Sequence, residues 1–530
     1  VGAAGEFDAV VVGSGPNGLV GAVTLAEGGL RVLLLEAAAH IGGGLRTEEL
    51  TLPGFRHDVC ASVLPLALAS PALRDYAANP ADGPAGSARA AAKDVWRAAT
   101  ASAGNGPGGT APGGTAPGGT GGRAIRWAHP PVPLAHPLPD GPAALLWPGV
   151  AETADGLAGP GGPADPAGAD PGSWARLVGP LVEHGTALAE SVLSPFDLPP
   201  RHPVALARFG ARGLWPATVL ARTALRGEPA RALLAGLATH SMIDLHRPVT
   251  AGYGLFLGTL AHTVGWPVAV GGSATLATAL AARLTDLGGE IRAEHPVRSP
   301  ADLPPARIVL LDLTPRQVLS IYGDRLPADY RSALGRYRYG PAAFKVDWAL
   351  DGPVPWRDPA VGSAATVHLG GTVSEIAAAE RAVARGHHPS RPFVLFVQAT
   401  VADRSRAPAG KHTGYAYCHV PLGSTVDMTA AIEAQVERFA PGFRDRILAR
   451  HVLGPAALEA RNANAVGGDI GGGTADLRQL LARPVASTRP WATPLGGVYV
   501  CSAATPPGGG AHGMGGRHAA RLALASLTRL

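Results

Sequence analysis

"FDAVVVGSGPNGLVGAVTLAEGGLRVLLLE", Phe7 to Glu36, decides the architecture. Two short apolar runs, "FDAVVV" and "RVLLLE", have the length and aliphatic content of buried strands. Between them stands Gly13-Ser14-Gly15-Pro16-Asn17-Gly18, followed by a stretch in which Leu19, Val23 and Ala26 share one helical face. Glu36 closes the second strand, 23 positions beyond Gly13. This order of strand, glycine turn, helix, strand and acid implies a dinucleotide site. The glycines permit a tight turn and close approach of a diphosphate. The helix start offers unpaired N–H groups and a partial positive charge, and Glu36 is spaced to accept from ribose hydroxyls. All four features stand together, which sets this reading above a purely structural glycine turn.

Outward from this unit, the 530 residues are 46% hydrophobic and 16% charged, enough apolar content for an ordered chain and enough length for two domains. The 72 glycines and 50 prolines gather in loops. "GPGGTAPGGTAPGGTGG" (106–122) repeats A-P-G-G-T and reads as part of a flexible surface insertion over 76–122; a second Gly/Pro/Ala-rich patch covers 156–172. Residues 173–255 are expected to be mostly helical. Residues 266–299 read as strand, Gly-Gly, helix, Gly-Gly, strand, and "RIVLLDLTP" (307–315) as another buried strand. From 342 the period changes to two. In "AAFKVDWAL", Phe344, Val346, Trp348 and Leu350 share one face and Lys345 and Asp347 the other, the mark of an antiparallel sheet.

Several classes fall away. The net charge of +5 rests on arginine, with lysine only at positions 93, 345 and 411 and no dense basic run, so no nucleic-acid partner is expected. Cys60, Cys418 and Cys501 lie far apart without a C-x-x-C, which points to a reducing compartment, no disulfide framework and no metal site. No run of 18 apolar residues and no signal-peptide pattern is present. The expectation is a cytoplasmic protein, with peripheral contact at an anionic membrane surface compatible with its weakly basic balance.

After Glu36 and Ala37 comes "AAHIGGGLRTEEL", in which Gly42, Gly43, Arg46 and Thr47 form G-G-x-x-R-[ST]. Near the end stands "PLGGVYVCSAATPPGGGAHGMGG". These motifs, with the first glycine turn, resemble the FAD-dependent amine oxidases and, more closely, the phytoene desaturase or phytoene dehydrogenase-like FAD-dependent oxidoreductases, in particular the branch of the pyridine nucleotide-disulfide oxidoreductase domain protein 2 type. "WAHPPVPLAHPLPDG", "RYRYGPAAFKVDWALDGPVPW" and "GKHTGYAYCHVP" carry the same resemblance, which extends over nearly the whole chain. It implies FAD as cofactor. Gly13, Gly15, Pro16, Asn17, Gly18, Glu36, Ala37, Gly43, Gly44, Leu45 and Arg46 would lie around its ADP half, and Val297 would meet adenine through the backbone. Gly510, Gly513 and Met514 would offer backbone to the flavin ring. "GGDIGGG" (467–473) lacks a preceding strand, so no second, nicotinamide site is expected.

The fold class expected is α/β: a Rossmann-like FAD-binding domain of amine oxidase-like topology (1–75, 260–335 and 480–530), interleaved with an α+β substrate domain containing a mostly antiparallel sheet (123–259 and 336–479). The resemblance implies an oxidoreductase, foremost a dehydrogenase or desaturase that forms a C=C bond in a small apolar organic substrate (polyene, isoprenoid, acyl chain or secondary metabolite) by hydride transfer to flavin N5. Oxygen, a quinone or a redox carrier then accepts the electrons. The alternatives are a flavin amine oxidase, a redox-neutral FAD-dependent double-bond isomerase and a non-catalytic flavin-bound interaction protein. The amine reading is weakened because no aromatic side chain occurs from Ala503 to Arg521. Lys345 and His512 are the candidate catalytic side chains, ahead of His57, Asp58, His240, Tyr417 and His419. Lys345 stands out because lysine is scarce, although it is free to face solvent or pair with a nearby aspartate.

Overall fold

The computed structural model describes residues 6–74, 125–157, 172–195 and 199–527. The insertion expected over 76–122, and positions 158–171 of the second glycine-rich patch, lie outside the described residues.

Strand β1 (Ala9–Val12), helix α1 (Pro16–Glu27) and strand β2 (Val32–Leu35) form the βαβ start. With strands numbered along the chain, β9 (Glu290–Arg292), β10 (Ile308–Leu311) and β16 (Val498–Val500) complete a five-stranded sheet in the order β16-β10-β1-β2-β9. Every neighbouring pair in it is parallel. Ala9, Val11 and Leu34 face a layer made by α1, helix Ala274–Asp286 and helix Met514–Leu527. Val10, Val12, Leu33 and Leu35 face Val318 and Tyr322 of helix Pro315–Tyr322 on the other side. Burial on both faces is why these strands read as unbroken apolar runs rather than alternating ones. Helix α1 starts on Pro16, where the missing N–H leaves no helical bond unmade, and no side chain of its own caps it.

A second sheet has seven strands in the order β15 (Ile447–Leu453), β11 (Ala342–Leu350), β14 (His412–Val420), β13 (Val394–Val397), β12 (Ala364–Leu369), β6 (Val132–His136) and β7 (Ala144–Leu146). Its pairs are antiparallel except β12 with β6. Two small pairs, β3 (Thr47–Glu48) with β4 (His57–Asp58) and β5 (Trp127–Ala128) with β8 (Val268–Ala269), are also antiparallel. On β11, Phe344, Val346, Trp348 and Leu350 share a core with Ile432, Val436 and Phe439 of helix Thr429–Phe439. The polar face of the strand is covered as well: Lys345 is 4% exposed and Asp347 fully buried. Sequence alternation distinguishes two faces but not what lies over each, and here the chain around His57–Cys60 lies over the second. No described helix is long and apolar enough to cross a membrane.

Candidate functional site

Gly13, Glu36, Asp312 and Cys501 each directly follow a strand of the parallel sheet, β1, β2, β10 and β16, so they share its carboxyl edge. Ligands of open parallel sheets bind at that edge. Gly13 takes φ +98°, a left-handed turn that brings the chain back under the start of α1. A Cβ on Gly18 would fall on the Gly13 carbonyl oxygen, and one on Gly15 would lie 2.5 Å from Asp312 Oδ2. The loop therefore has no room for side chains. Ser14 donates through both its backbone N–H (2.9 Å) and its hydroxyl to Glu36 Oε2, while Ala38 N–H donates to Oε1 at 2.9 Å. These bonds hold the Glu36 carboxylate, 8% exposed, at the end of β2.

The G-G-x-x-R-[ST] segment closes onto this loop. Gly42 N–H donates to Ser14 Oγ at 3.0 Å, and a Cβ on Gly43 would sit 2.9 Å from Gly15 Cα. Leu45 is fully buried in the core, which fixes the segment, while Ala37 is exposed. Arg46 donates to the carbonyls of His40 and Arg461 and lies 3.9 Å from Glu36, yet its Nε is buried with no partner. Val297 is partly buried beside the same edge, two residues beyond His295, whose N–H donates to the Glu36 carbonyl. A loop without side-chain room, a helix start with no cap from its own N-terminal residue, a held carboxylate and an unsatisfied guanidinium nitrogen fit a dinucleotide diphosphate and ribose.

The C-terminal glycine loop packs beside them. Gly513 takes φ +67°, and a Cβ there would strike Val20 of α1. Asn17 Oδ1 accepts from Gly516 N–H, and a Cβ on Gly516 would fall on the Asn17 carbonyl. Much of the glycine content thus lets helix Met514–Leu527 lie against α1. His512 is buried with both ring nitrogens engaged, Nε2 with the Gly508 carbonyl (3.1 Å) and Nδ1 accepting from Met514 N–H (3.1 Å). Burial pushes its pKa down to about 4, so the ring is neutral and pins the turn. Gly510 lies exposed against Leu66. "GGDIGGG" (467–473) serves the packing of the chain on itself. Asp469 accepts from the N–H groups of Gly340, Gly471 and Gly473, while Gly472 lies against Ala503.

Lys345 on β11 pairs with Asp347 Oδ1 and sits 4.5 Å over the Tyr415 ring. Directly across on β14 stand Tyr417 opposite Lys345 and Tyr415 opposite Asp347. In the segment whose His57 lies against Asp347, Val59 N–H donates to the Arg46 carbonyl at 2.8 Å and Ala61 N–H to the Gly44 carbonyl at 3.1 Å. The pair is thereby tied to the glycine segment of the nucleotide edge. Burial raises the Asp347 pKa although Lys345 opposes it, and Asp347 Oδ2 is buried without a partner. His57 Nδ1 lies 3.5 Å from Asp347 Oδ1; burial, reinforced by Lys345, lowers its pKa to about 3, so it is neutral. Asp58 accepts from Arg406 at 2.9 Å. Of the remaining candidates, His419 bonds Glu380 at 2.9 Å and His240 lies 3.3 Å from His368.

Two residues escape a reading of the sequence: Arg406 between Asp58 and Asp403, and Asp312. Only Asp312 has a local signal, an acid at the end of the apolar run "RIVLL". Among the described residues no group of three or more His, Cys, Asp or Glu is placed to hold a metal ion. A cavity of about 540 Å³ lined by Tyr330, Arg336, Arg338 and Arg489 contains none of the candidate residues.

Comparison with known proteins agrees with this geometry. Residues 11–79 match the family described as NAD(P)-binding Rossmann-like domain. Pyridine nucleotide-disulfide oxidoreductase domain-containing protein 2 of Rattus norvegicus is 27% identical over 352 residues, 56% of this chain and 59% of that protein. A limonene dehydrogenase subunit of Castellaniella defragrans is 38% identical over 78 residues, 15% of this chain and 14% of that protein. The chain thus matches less than two thirds of the length of these curated relatives. Among solved structures, putrescine oxidase bound to putrescine superposes with a TM-score of 0.57 at 15% identity, covering 99% of both chains. That likeness is one of fold. The chain is an α/β protein with a dinucleotide-binding Rossmann-like domain, similar in sequence to oxidoreductases and in architecture to an amine oxidase.

Proposed function

We propose that this chain is an FAD-dependent oxidoreductase of the dehydrogenase or desaturase type, removing two hydrogens from an apolar substrate to form a C=C bond. The observation that carries the reading is a juxtaposition. The glycine edge built by Gly13–Gly18, Glu36 and Gly43–Arg46 meets, through the 57–61 segment bonded to the Gly44 and Arg46 carbonyls, a buried lysine–aspartate pair on the inner face of the antiparallel sheet. FAD, when bound, supplies the two-electron acceptor. Glu36 would hold the ribose by accepting from its hydroxyls, and the unpaired Nε of Arg46 would be available to the diphosphate. Gly510, Gly513 and Met514 would offer backbone to the ring, with His512 fixing their turn rather than moving protons. The Lys345–Asp347 pair is where a substrate proton would be received: Asp347 Oδ2, which has no partner, takes it, while Lys345 Nζ stays bonded to the other oxygen. Beside it, Tyr417, Leu395 and Val397 offer the face an apolar substrate needs. The name of the limonene dehydrogenase relative supports an apolar hydrocarbon class. In this reading 1–75, 260–335 and 480–530 form the FAD domain, and 123–259 with 336–479 the substrate domain. Oxygen, a quinone or a carrier protein takes the electrons onward.

The first test is the visible spectrum of the purified protein and the mass of the released cofactor. Bands near about 370 and 450 nm with the mass of FAD support the proposal, whereas a colourless protein that refuses added FAD overturns it. Anaerobic mixing with terpenes, polyenes, acyl thioesters and cyclic ketones is expected to bleach the flavin with one of these classes. Bleaching by amines alone reassigns the chain to the amine oxidases, and a product of unchanged mass to the isomerases. Glu36→Gln is expected to weaken FAD binding by about 10–100-fold, the effect of losing charge-assisted hydrogen bonds; fluorescence titration measures it. The double change Lys345→Met with Asp347→Asn, which leaves the buried face neutral, is expected to slow flavin reduction by about 10²–10⁴-fold with FAD still bound. An unchanged reduction rate removes Lys345 from the chemistry.

A further inference from the structure

The carboxylate of Asp312 occupies the end of the helix that a diphosphate needs. Its Oδ2 accepts from Gly18 N–H at 2.9 Å and lies 2.5 Å from where a Cβ of Gly15 would be. The side chain is 4% exposed, and its backbone is fixed by Asp312 N–H to the Val12 carbonyl (2.8 Å) and by Asn464 Nδ2 to the Asp312 carbonyl (2.7 Å). Asp312 therefore cannot retreat into solvent when another anion arrives. Two negative groups would then share one set of helix-end donors in a buried place, an arrangement in which one of them must be neutral. A diphosphate stays ionised near neutrality; a carboxyl group can be protonated.

We propose that Asp312 takes up one proton as the dinucleotide diphosphate binds, and that the resulting carboxylic acid remains as a neutral hydrogen-bonding wall of the site. This rests on the dinucleotide reading above. A neutral Asp312 keeps an oxygen for Gly18 N–H and gains an O–H that can donate to a phosphate oxygen. The proton comes from solvent. The groups facing Asp312 are the Gly15 and Gly18 N–H groups from α1, Glu36 from the end of β2 and Cys501 from the end of β16. The Cys501 thiol is held well above its ordinary pKa by burial and by Asp312, so it stays neutral, and Glu36 adds negative charge. Burial, with Glu36 adding to it against the two helix N–H groups, places the Asp312 pKa at about 7 before any phosphate is present. A bound diphosphate raises it further. The sign follows: binding is independent of pH below about 7, and above it the dissociation constant climbs by up to about tenfold per pH unit until the pKa of the complex is reached.

The experiment is calorimetric titration of the FAD-stripped full chain with FAD between pH 6 and 9, in phosphate and in Tris, whose ionisation heats differ. Near pH 8 the wild type is expected to take up close to one proton per FAD, and Asp312→Asn to take up none. The variant is also expected to bind FAD with little pH dependence and more tightly than wild type at pH 9. A wild type that binds FAD with no proton uptake overturns the proposal while leaving the dinucleotide reading standing. So does an uptake that persists in Asp312→Asn or disappears in Glu36→Gln instead. Failure to bind FAD at any pH overturns both. If Asp312→Asn does not fold, judged by circular dichroism, the wild-type proton count with Glu36→Gln as control still decides.

Discussion

Gly18→Val is expected to abolish FAD capture while leaving the antiparallel sheet folded. The new side chain would enter the Gly13 carbonyl and the Asp312 carboxylate together, and neither can yield. Gly13 is held by its N–H to the Leu35 carbonyl at 2.8 Å, and Asp312 by bonds to Val12 and Asn464. Relief requires α1 to swing away from the end of β1, which removes both the donors and the dipole that favour the diphosphate. The expected loss in affinity is on the order of 100-fold or more, about 2.7 kcal/mol. Fluorescence titration with FAD gives the affinity, and circular dichroism separates it from global unfolding. Stoichiometric, wild-type-like FAD binding by Gly18→Val would mean that this turn is not the nucleotide cradle.

The second large effect belongs to a residue outside the chemistry. Arg406 is fully buried and donates to Asp403 Oδ2 (2.7 Å), Asp58 Oδ2 (2.9 Å) and the Ala269 carbonyl (3.1 Å). Asp58 also accepts from Thr47, Ser62 and Ser273. One guanidinium thus ties β4, β8 and the 403–406 turn into a single knot beside Lys345 and His57. Arg406→Met leaves two buried carboxylates without their cation and is expected to cost about 3–5 kcal/mol. Burial pushes both acids up, but Arg406 and the surrounding donors outweigh it and hold both below their ordinary range. Their contribution is present above the carboxylate range and is lost as pH falls through the folded pKa values. The gap between wild type and Arg406→Met is therefore expected to be widest near neutral pH and to narrow toward pH 4, where the variant's acids become neutral. Urea denaturation at several pH values measures it, with Asp58→Asn plus Asp403→Asn in the variant background expected to restore part of the loss. A gap below about 1 kcal/mol at pH 7 would show the knot to be expendable.

What could be read from the chain follows from how local each feature is. The β1–α1–β2 unit was legible because its strands are buried on both faces, its helix begins on proline, and Gly13, Gly18 and Glu36 fall within one short stretch. The division of β11 into two faces was legible from its period. That Lys345 and Asp347 lie buried under the cover of His57 was not, because period two says nothing about what a distant segment lays over a strand. Asp312 was hidden for the same reason: its partner Gly18 is 294 residues away. The C-terminal glycines were read as close approach by a ligand. At Gly516 the close approach is made by Asn17 of α1, a helix-on-helix contact that leaves the same signature in the sequence as a cofactor does.

The parallel sheet also sets a timetable for biosynthesis. β1 sits at its centre, yet β10, its neighbour on one side, leaves the ribosome roughly 300 residues later, and β16 roughly 190 residues after that. At about 5–20 residues per second, β1 and α1 wait about 15–60 s for β10, and longer for the C-terminal helix that covers α1. During that interval an apolar strand edge and helix face lie open in the nascent chain, while β11 to β15 can pair as soon as they emerge. The sheet whose strands β1 and β2 are made first is therefore completed only when β16 is made. A holding chaperone, or early closure of the antiparallel sheet, would matter more to yield in cells than the stability of the finished protein.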